Sequence, residues 1–212
     1  MTLAMVFPGQ GSQSQGMQAD LADKFEVVKA TYDEASGVLG FDLWDLVQSG
    51  PAEKLGETTN TQPAMLAAGV AAYRVWTASG GDAPAQVSGH SLGEYTALVC
   101  AGAVDFGDAM RVVKRRSELM QAEVPVGEGA MAAILGLDDA VVLEVCDAAK
   151  ADGVVEAVNF NSPGQVVIAG HTAAVEKAVE IATEKGAMRA IMLPVSVPSH
   201  SSLMTSAGET LA

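Results

Sequence analysis

Cysteine is scarce in this sequence: 212 residues hold two, Cys100 and Cys146. Two cysteines make neither a disulfide framework nor a metal cluster. Both fall in apolar helical patterns and read as small buried hydrophobes. The three histidines also lack metal-ligand spacing, so no metal site is expected. No apolar run reaches the ~18 residues of a membrane-crossing helix, and no basic start leads into an apolar signal core. The expected compartment is the cytoplasm. Basic residues are few, 12 against 26 acidic ones, for a net charge of -14. Such a chain is a poor partner for nucleic acid or an anionic membrane surface, and neither is expected. Phosphate loops are missing as well. The segment Gly9-Gln10-Gly11-Ser12-Gln13 has Ser14 where a dinucleotide fingerprint needs its third glycine, and no Gly-Lys-Ser/Thr occurs.

What is present is a globular composition, 49% hydrophobic and 18% charged, long enough for one large domain carrying an insertion. Leu3 to Phe7 reads as a strand ended by Pro8. Helical patterns occupy roughly 17–39 and 62–79; Asn60 or Thr61 is placed to cap the second, with Pro63 in its first turn. A strand over 85–88 leads into Gly-His-Ser-Leu-Gly, followed by helices over 92–101 and 106–121.

After Pro125 the rhythm changes to strand 130–135, helix 138–151, strand 154–160, a turn at Asn161-Ser162-Pro163-Gly164, strand 165–169, helix 172–185 and strand 189–195. That order is a split βαβ, ferredoxin-like unit. The expected architecture is α/β: a core over 1–125 and 199–212, interrupted by a ferredoxin-like subdomain over 126–198. An interrupted core should resume after its insertion, so its C-terminal part is expected to lie outside these residues.

Gly89-His90-Ser91-Leu92-Gly93 is G-x-S-x-G between strand and helix, the setting of a nucleophile elbow. The turn lifts the serine hydroxyl off the backbone, and the following helix favours negative charge there. The bland alternative is an ordinary Gly-rich turn. A serine nucleophile needs a base. His90 would point away at a sharp turn and reads as structural; His171 reads as a solvent residue in a turn. His200, in Val-Pro-Ser-His after a strand, is either the base or a satisfied structural histidine.

Four of the twelve basic residues crowd into one helix: Arg111, Lys114, Arg115 and Arg116. On its wheel Arg111, Lys114, Arg115 and Glu118 share a face. It reads as solvated, or as a docking patch for an acidic partner. Arg116 lies at the centre of the opposite face, with Ala109, Val112, Val113, Leu119 and Met120. A buried guanidinium must be paired. Its partner is either a protein carboxylate or a substrate carboxylate held bidentately.

Together these segments resemble the malonyl-CoA–acyl carrier protein transacylases, the acyltransferases of fatty-acid synthesis. The residues that carry the resemblance are 7–13 (Phe-Pro-Gly-Gln-Gly-Ser-Gln), 60–64 (Asn-Thr-Gln-Pro-Ala), 89–95 (Gly-His-Ser-Leu-Gly-Glu-Tyr), Arg116 with Met120-Gln121, 129–131 (Gly-Ala-Met), 161–165 (Asn-Ser-Pro-Gly-Gln) and 197–200 (Val-Pro-Ser-His). The resemblance implies a hydrolase-like parallel-sheet core with a ferredoxin-like insertion. It also implies Ser91 as nucleophile and His200 as base, with the backbone N–H groups of Gln10 and Leu92 as oxyanion hole. Arg116 would hold the malonyl carboxylate, and Asn161 would help place the coenzyme A or carrier-protein arm. Malonyl-CoA and acyl carrier protein are the implied partners, with no cofactor. Family members continue past residue 212 with further sheet and helix, and with a backbone carbonyl that orients the histidine. Two rivals share the elbow: an ester or thioester hydrolase, and an inactive truncated fragment that only binds a partner.

Overall fold

The computed structural model describes residues 2–125, 127–195 and 197–212. They form an α/β fold with two sheets and fall into two compact units, Met1–Ser117 and Glu118–Ala212.

In the first unit, β1 (Ala4–Phe7) pairs in parallel with β2 (Gln86–Gly89), Phe7 lying opposite Gly89. Between them run α1 (Ala19–Ala22), α2 (Glu26–Leu39), α3 (Leu43–Ser49), α4 (Ala52–Gly56) and α5 (Thr58–Ala78). The elbow follows β2, then α6 (Gly93–Cys100) and α7 (Phe106–Glu123), whose last residues belong to the second unit. The core is helical: Val28, Tyr32, Leu43, Leu66, Val70, Met110 and Val113 are buried together. Burying apolar side chains at about 25 cal/mol per Å² is the main favourable term in folding.

Local chemistry moved several boundaries. The pattern over 17–39 is two helices, because the chain is extended at Phe25 (φ -135, ψ 104) between them, and Gln18, at φ 66, precedes the first. Short helices α3 and α4 fill the stretch between α2 and α5, the first capped by Asp42, which accepts from the Asp45 N–H. Helix α5 starts a turn before the expected caps. Asn60 and Thr61 are inside it and tie it to α4, Asn60 Nδ2 donating to Lys54 O and the Thr61 hydroxyl to Leu55 O. Pro63 is therefore inside the helix.

The second unit holds β3 (Gly129–Leu135), α8 (Asp139–Ala149), β4 (Val155–Ser162), β5 (Gln165–His171), α9 (Thr172–Glu184), β6 (Arg189–Met192) and α10 (Thr205–Leu211). Its sheet is antiparallel in the order β4-β5-β3-β6. Ala132, Ile134, Val166 and Ile168 pack against Val142, Val145 and Cys146 of α8 and Val175 and Ala178 of α9. Strand β6 stops short of the expected 195. Pro194 has no N–H for a ladder, and the last sheet-like bond is Leu193 N–H to Met131 O. Both cysteines are free and buried, as expected. No helix of the described residues is long and apolar enough to cross a membrane, and none of their His, Cys, Asp and Glu side chains group to hold a metal.

Candidate active site

Parallel pairing puts the ends of β1 and β2 at one edge, where α/β sheets gather their functional groups. From β1 the chain passes through Pro8-Gly9-Gln10; from β2 it enters the elbow. The two turns are packed backbone to backbone. A Cβ at Gly93 would stand 2.2 Å from Phe7 O, one at Gly89 1.9 Å from Gly93 C, and one at Gly9 2.7 Å from His90 O. Only glycine allows these approaches. His90 N–H donates to Phe7 O, Gly93 N–H to His90 O and Glu94 N–H to Ser91 O.

Ser91, half-buried, is held at φ 51. A side-chain residue in the left-handed region is strained by about 1–3 kcal/mol and persists only where its surroundings fix it. The position has the shape the elbow reading requires. Leu92 is buried and caps α6, so its backbone sits at that helix's N-terminus. His90 is exposed.

Gln10 is held from below: its Nε2 donates to Thr58 Oγ1 at 3.2 Å, and Thr58 is fully buried in the first turn of α5. One turn along α5 lies Gln62, 1% exposed, whose Oε1 accepts from Arg116 Nη1 at 2.6 Å. Across from Gln62, the ring of Tyr95 on α6 lies 5.9 Å from the Arg116 guanidinium carbon. Tyr95 is one turn from Ser91, which ties Arg116 to the elbow helix.

Arg116 is half-buried and stands at the edge of the apolar stripe, not its centre. The stripe is Phe106, Ala109, Met110, Val113, Ser117 and Met120, and Val112 lies outside it, 40% exposed. Burial pushes the guanidinium's pKa down from its usual value, and Tyr95 opposes this. Arginine remains charged regardless. Among the described residues the ion pairs belong to Arg74, Arg111, Lys150, Lys177 and Lys185, and no carboxylate pairs with Arg116. Of the basic face, Arg111 is paired with Asp108, and Lys114 donates to Leu39 O.

His200 and Asn161 belong to the second unit. His200 is exposed, in a turn eight residues past β6, with φ 67. The turn is fixed on both sides: Ser201, 5% exposed, donates its hydroxyl to Pro198 O, and Ser202 N–H donates to Glu156 Oε2. Pro198 is lodged over Gly129, where a Cβ would come within 2.4 Å of its Cδ. Asn161 is in β4, not in the turn. Phe160 pairs with Val166 and Ser162 with Gln165, so Asn161 is the extra residue of a bulge, a device that re-aims a side chain. His171 is not a turn residue. It ends β5, and its Nδ1 accepts from Val154 N–H at 3.0 Å.

Sequence reasoning passed over Thr58 and gave no role to Gln62 or Tyr95, although both lie in segments that carry the resemblance. Buried polar side chains on α5 were the available signal, and they become visible only once the start of that helix is placed.

Residues 4–212 match the family model described as acyl transferase domain. The chain is 59% identical over 209 residues to the malonyl CoA-acyl carrier protein transacylase of Escherichia coli (strain K12), covering 99% of this chain and 68% of that protein. It is 47% identical over 210 residues to the protein of that name in Bacillus subtilis (strain 168), covering 99% and 66%. Among solved structures, the acyl-carrier-protein S-malonyltransferase of Burkholderia pseudomallei 1710b superposes with a TM-score of 0.94 at 60% identity, covering 99% of this chain and 68% of that one. A malonyl-transacylase solved in complex with its type II PKS acyl-carrier protein gives a TM-score of 0.96 at 57% identity, covering 100% and 68%. Spanning about two thirds of the length of these relatives, the chain belongs to the acyl transferase domain family.

Proposed function

We infer that this protein is an acyltransferase that moves a malonyl group from coenzyme A to the phosphopantetheine thiol of acyl carrier protein, through an ester on Ser91. The observation that carries the reading is Ser91 at φ 51 between β2 and α6, in a chain 59% identical to a transacylase of that activity.

The steps follow from the groups assigned. Ser91 Oγ attacks the thioester carbonyl while His200 takes the hydroxyl proton. The tetrahedral oxyanion is held by the backbone N–H groups of Gln10 and Leu92, since backbone donors need no reorganisation as charge develops. Its collapse breaks the C–S bond; coenzyme A leaves as the thiol, taking the proton from His200. The carrier thiol then attacks the seryl ester, with the same groups acting in reverse. Bonds, protons and electrons balance without a metal or redox group. Arg116 holds the malonyl carboxylate with N–H groups not used by Gln62. A charge kept half-buried without a protein carboxylate favours a carboxylated acyl group over the neutral acyl group of an ordinary ester. Asn161, re-aimed by its bulge, helps place the pantetheine arm.

The domain reading is part of the same proposal. Residues 126–198 form a ferredoxin-like insertion, supported by the strand order β4-β5-β3-β6 with α8 and α9 on one face. The core is hydrolase-like, and its parallel sheet takes a further covering layer. Support comes from Val6 of β1, 74% exposed, because parallel sheets are covered on both faces. The cytoplasm is the proposed compartment, supported by two free cysteines.

The test separates transfer from hydrolysis. Coenzyme A release from malonyl-CoA should show a burst of one equivalent, followed by slow turnover. Adding holo acyl carrier protein should convert that to rapid turnover with malonyl on the carrier. Rapid release without carrier, yielding free malonate, would make the chain a thioesterase.

A further inference from the structure

Helix α5 brings two buried polar side chains, Thr58 and Gln62, to one face at a spacing of four residues. The first holds Gln10, the second Arg116. We propose that Gln62 is a positioning residue that sets acyl-group selectivity: it fixes the Arg116 guanidinium with a neutral oxygen, leaving the positive charge uncompensated for an incoming carboxylate. The inference rests on the reading of Arg116 given above and goes beyond it by saying what makes that arginine a reader of substrate and not a structural ion pair.

A half-buried guanidinium loses hydration and is ordinarily repaid by a carboxylate. The chain has 26 acidic residues, yet no carboxylate pairs with Arg116 among the described residues. Its hydrogen-bond partner is an amide. Guanidinium has no acceptor, so the Gln62 atom facing it must be the oxygen, whatever the assignment of the amide. At 2.6 Å the bond is short, as a charged donor favours. The holder is itself rigid: Gln62 is 1% exposed and sits in a helix.

An amide oxygen and a carboxylate oxygen could orient the guanidinium equally well. They differ in what is left over. Glutamate at 62 would neutralise the charge and occupy the arginine with an internal salt bridge. Glutamine orients without neutralising. It engages one of five N–H groups, and a bidentate carboxylate needs two more. The Tyr95 ring, 5.9 Å away, adds a face that favours the cation without competing for its hydrogens.

The experiment measures kcat/KM for malonyl-CoA and acetyl-CoA, with holo acyl carrier protein as acceptor, in the full chain. Variants are Gln62→Glu, Gln62→Ala and Arg116→Ala, each with a melting temperature. Taking the malonyl-to-acetyl ratio within one sample cancels differences in folded fraction. Gln62→Glu, nearly isosteric, should lower the ratio by about 10–10²-fold, chiefly through KM for malonyl-CoA, at an unchanged or higher melting temperature. Gln62→Ala should lower it by about 10-fold. Arg116→Ala should lower it most. A collapsed ratio in Arg116→Ala with parental ratios in both Gln62 variants would overturn the Gln62 proposal alone. A parental ratio in Arg116→Ala would overturn the reading of Arg116, and this proposal with it. A parallel loss of both activities in Gln62→Glu, with a lower melting temperature, would make Gln62 a packing residue only.

Discussion

Two glycine-to-alanine changes should have opposite effects, because one glycine is walled in by backbone and the other faces open space. At Gly89 an added methyl would meet three backbone atoms: Gly93 C at 1.9 Å, Gly93 O at 2.0 Å and Glu94 N at 2.3 Å. Ordinary contact begins near 3.4 Å, so the start of α6 must retreat by about 1.5 Å. No flexible side chain is available to give way instead. Overpacking of this kind costs about 1–3 kcal/mol, which lowers the melting temperature by roughly 2–12 °C for a chain of this size. The catalytic cost is larger than the stability cost. The shifted backbone carries Ser91 and the Leu92 N–H, and a 1 Å misplacement can cost about 10²-fold in rate. Gly37 is the control. It lies exposed inside α2, with nothing within 4 Å of an added methyl. Gly37→Ala should stabilise the helix by up to ~1 kcal/mol and leave transfer unchanged. Stopped-flow release of coenzyme A, with a melting curve for each variant, reads both effects. Parental acylation in Gly89→Ala would show that the tight crossing of the two turns does not position the nucleophile.

Arg116→Ala should lose malonyl transfer by about 10²–10⁴-fold, from two charge-assisted bonds at ~1.5–3 kcal/mol each, while acetyl transfer is kept or gained; steady-state rates with both thioesters check this. Thr58→Val removes the acceptor for Gln10 Nε2 and should slow acylation by about 3–10-fold with little change in KM, the scale of one side-chain hydrogen bond. Burial pushes the Cys100 thiol up to about 12 and the Cys146 thiol to about 11, the latter also through Asp147. At pH 8 the thiolate fraction is then about one part in a thousand or less, so an aromatic disulfide reagent should label neither until the protein is unfolded. Because folding raises both values above the unfolded 9.0, the stability from the protonated thiols is complete below pH 9. It is lost as pH climbs toward 11 and 12, and denaturant melts at pH 8 and above 10 should show the decline.

The strand–turn–helix around Ser91 was legible because its signals are local. Two glycines around a serine, between an apolar strand and an apolar helix, leave little else for the segment to be. The alternation over 129–192 was legible for a related reason: each strand and helix has its own period and its own turn residues. Gln62 and Thr58 were not, because a polar residue inside a helix shows no sign of what it faces. Their roles arise from α5 crossing beneath Gln10 and beside α7. Helices α3 and α4 escaped because seven and five residues are too few to display a period. Arg116 was found but misplaced on its helix. Val112 was counted in the apolar face on hydropathy alone, and its exposure shifts the stripe toward Ser117.

A covalent bond at Ser91 is the decisive observable. The full chain, mixed with malonyl-CoA, quenched in acid and measured as intact protein, should gain the mass of one malonyl group. Peptide fragmentation should place it on Ser91. The adduct should disappear on adding holo acyl carrier protein and never form in Ser91→Ala. An adduct that forms in Ser91→Ala, or malonyl transfer to the carrier at the parental rate in that variant, would contradict the assignment of Ser91.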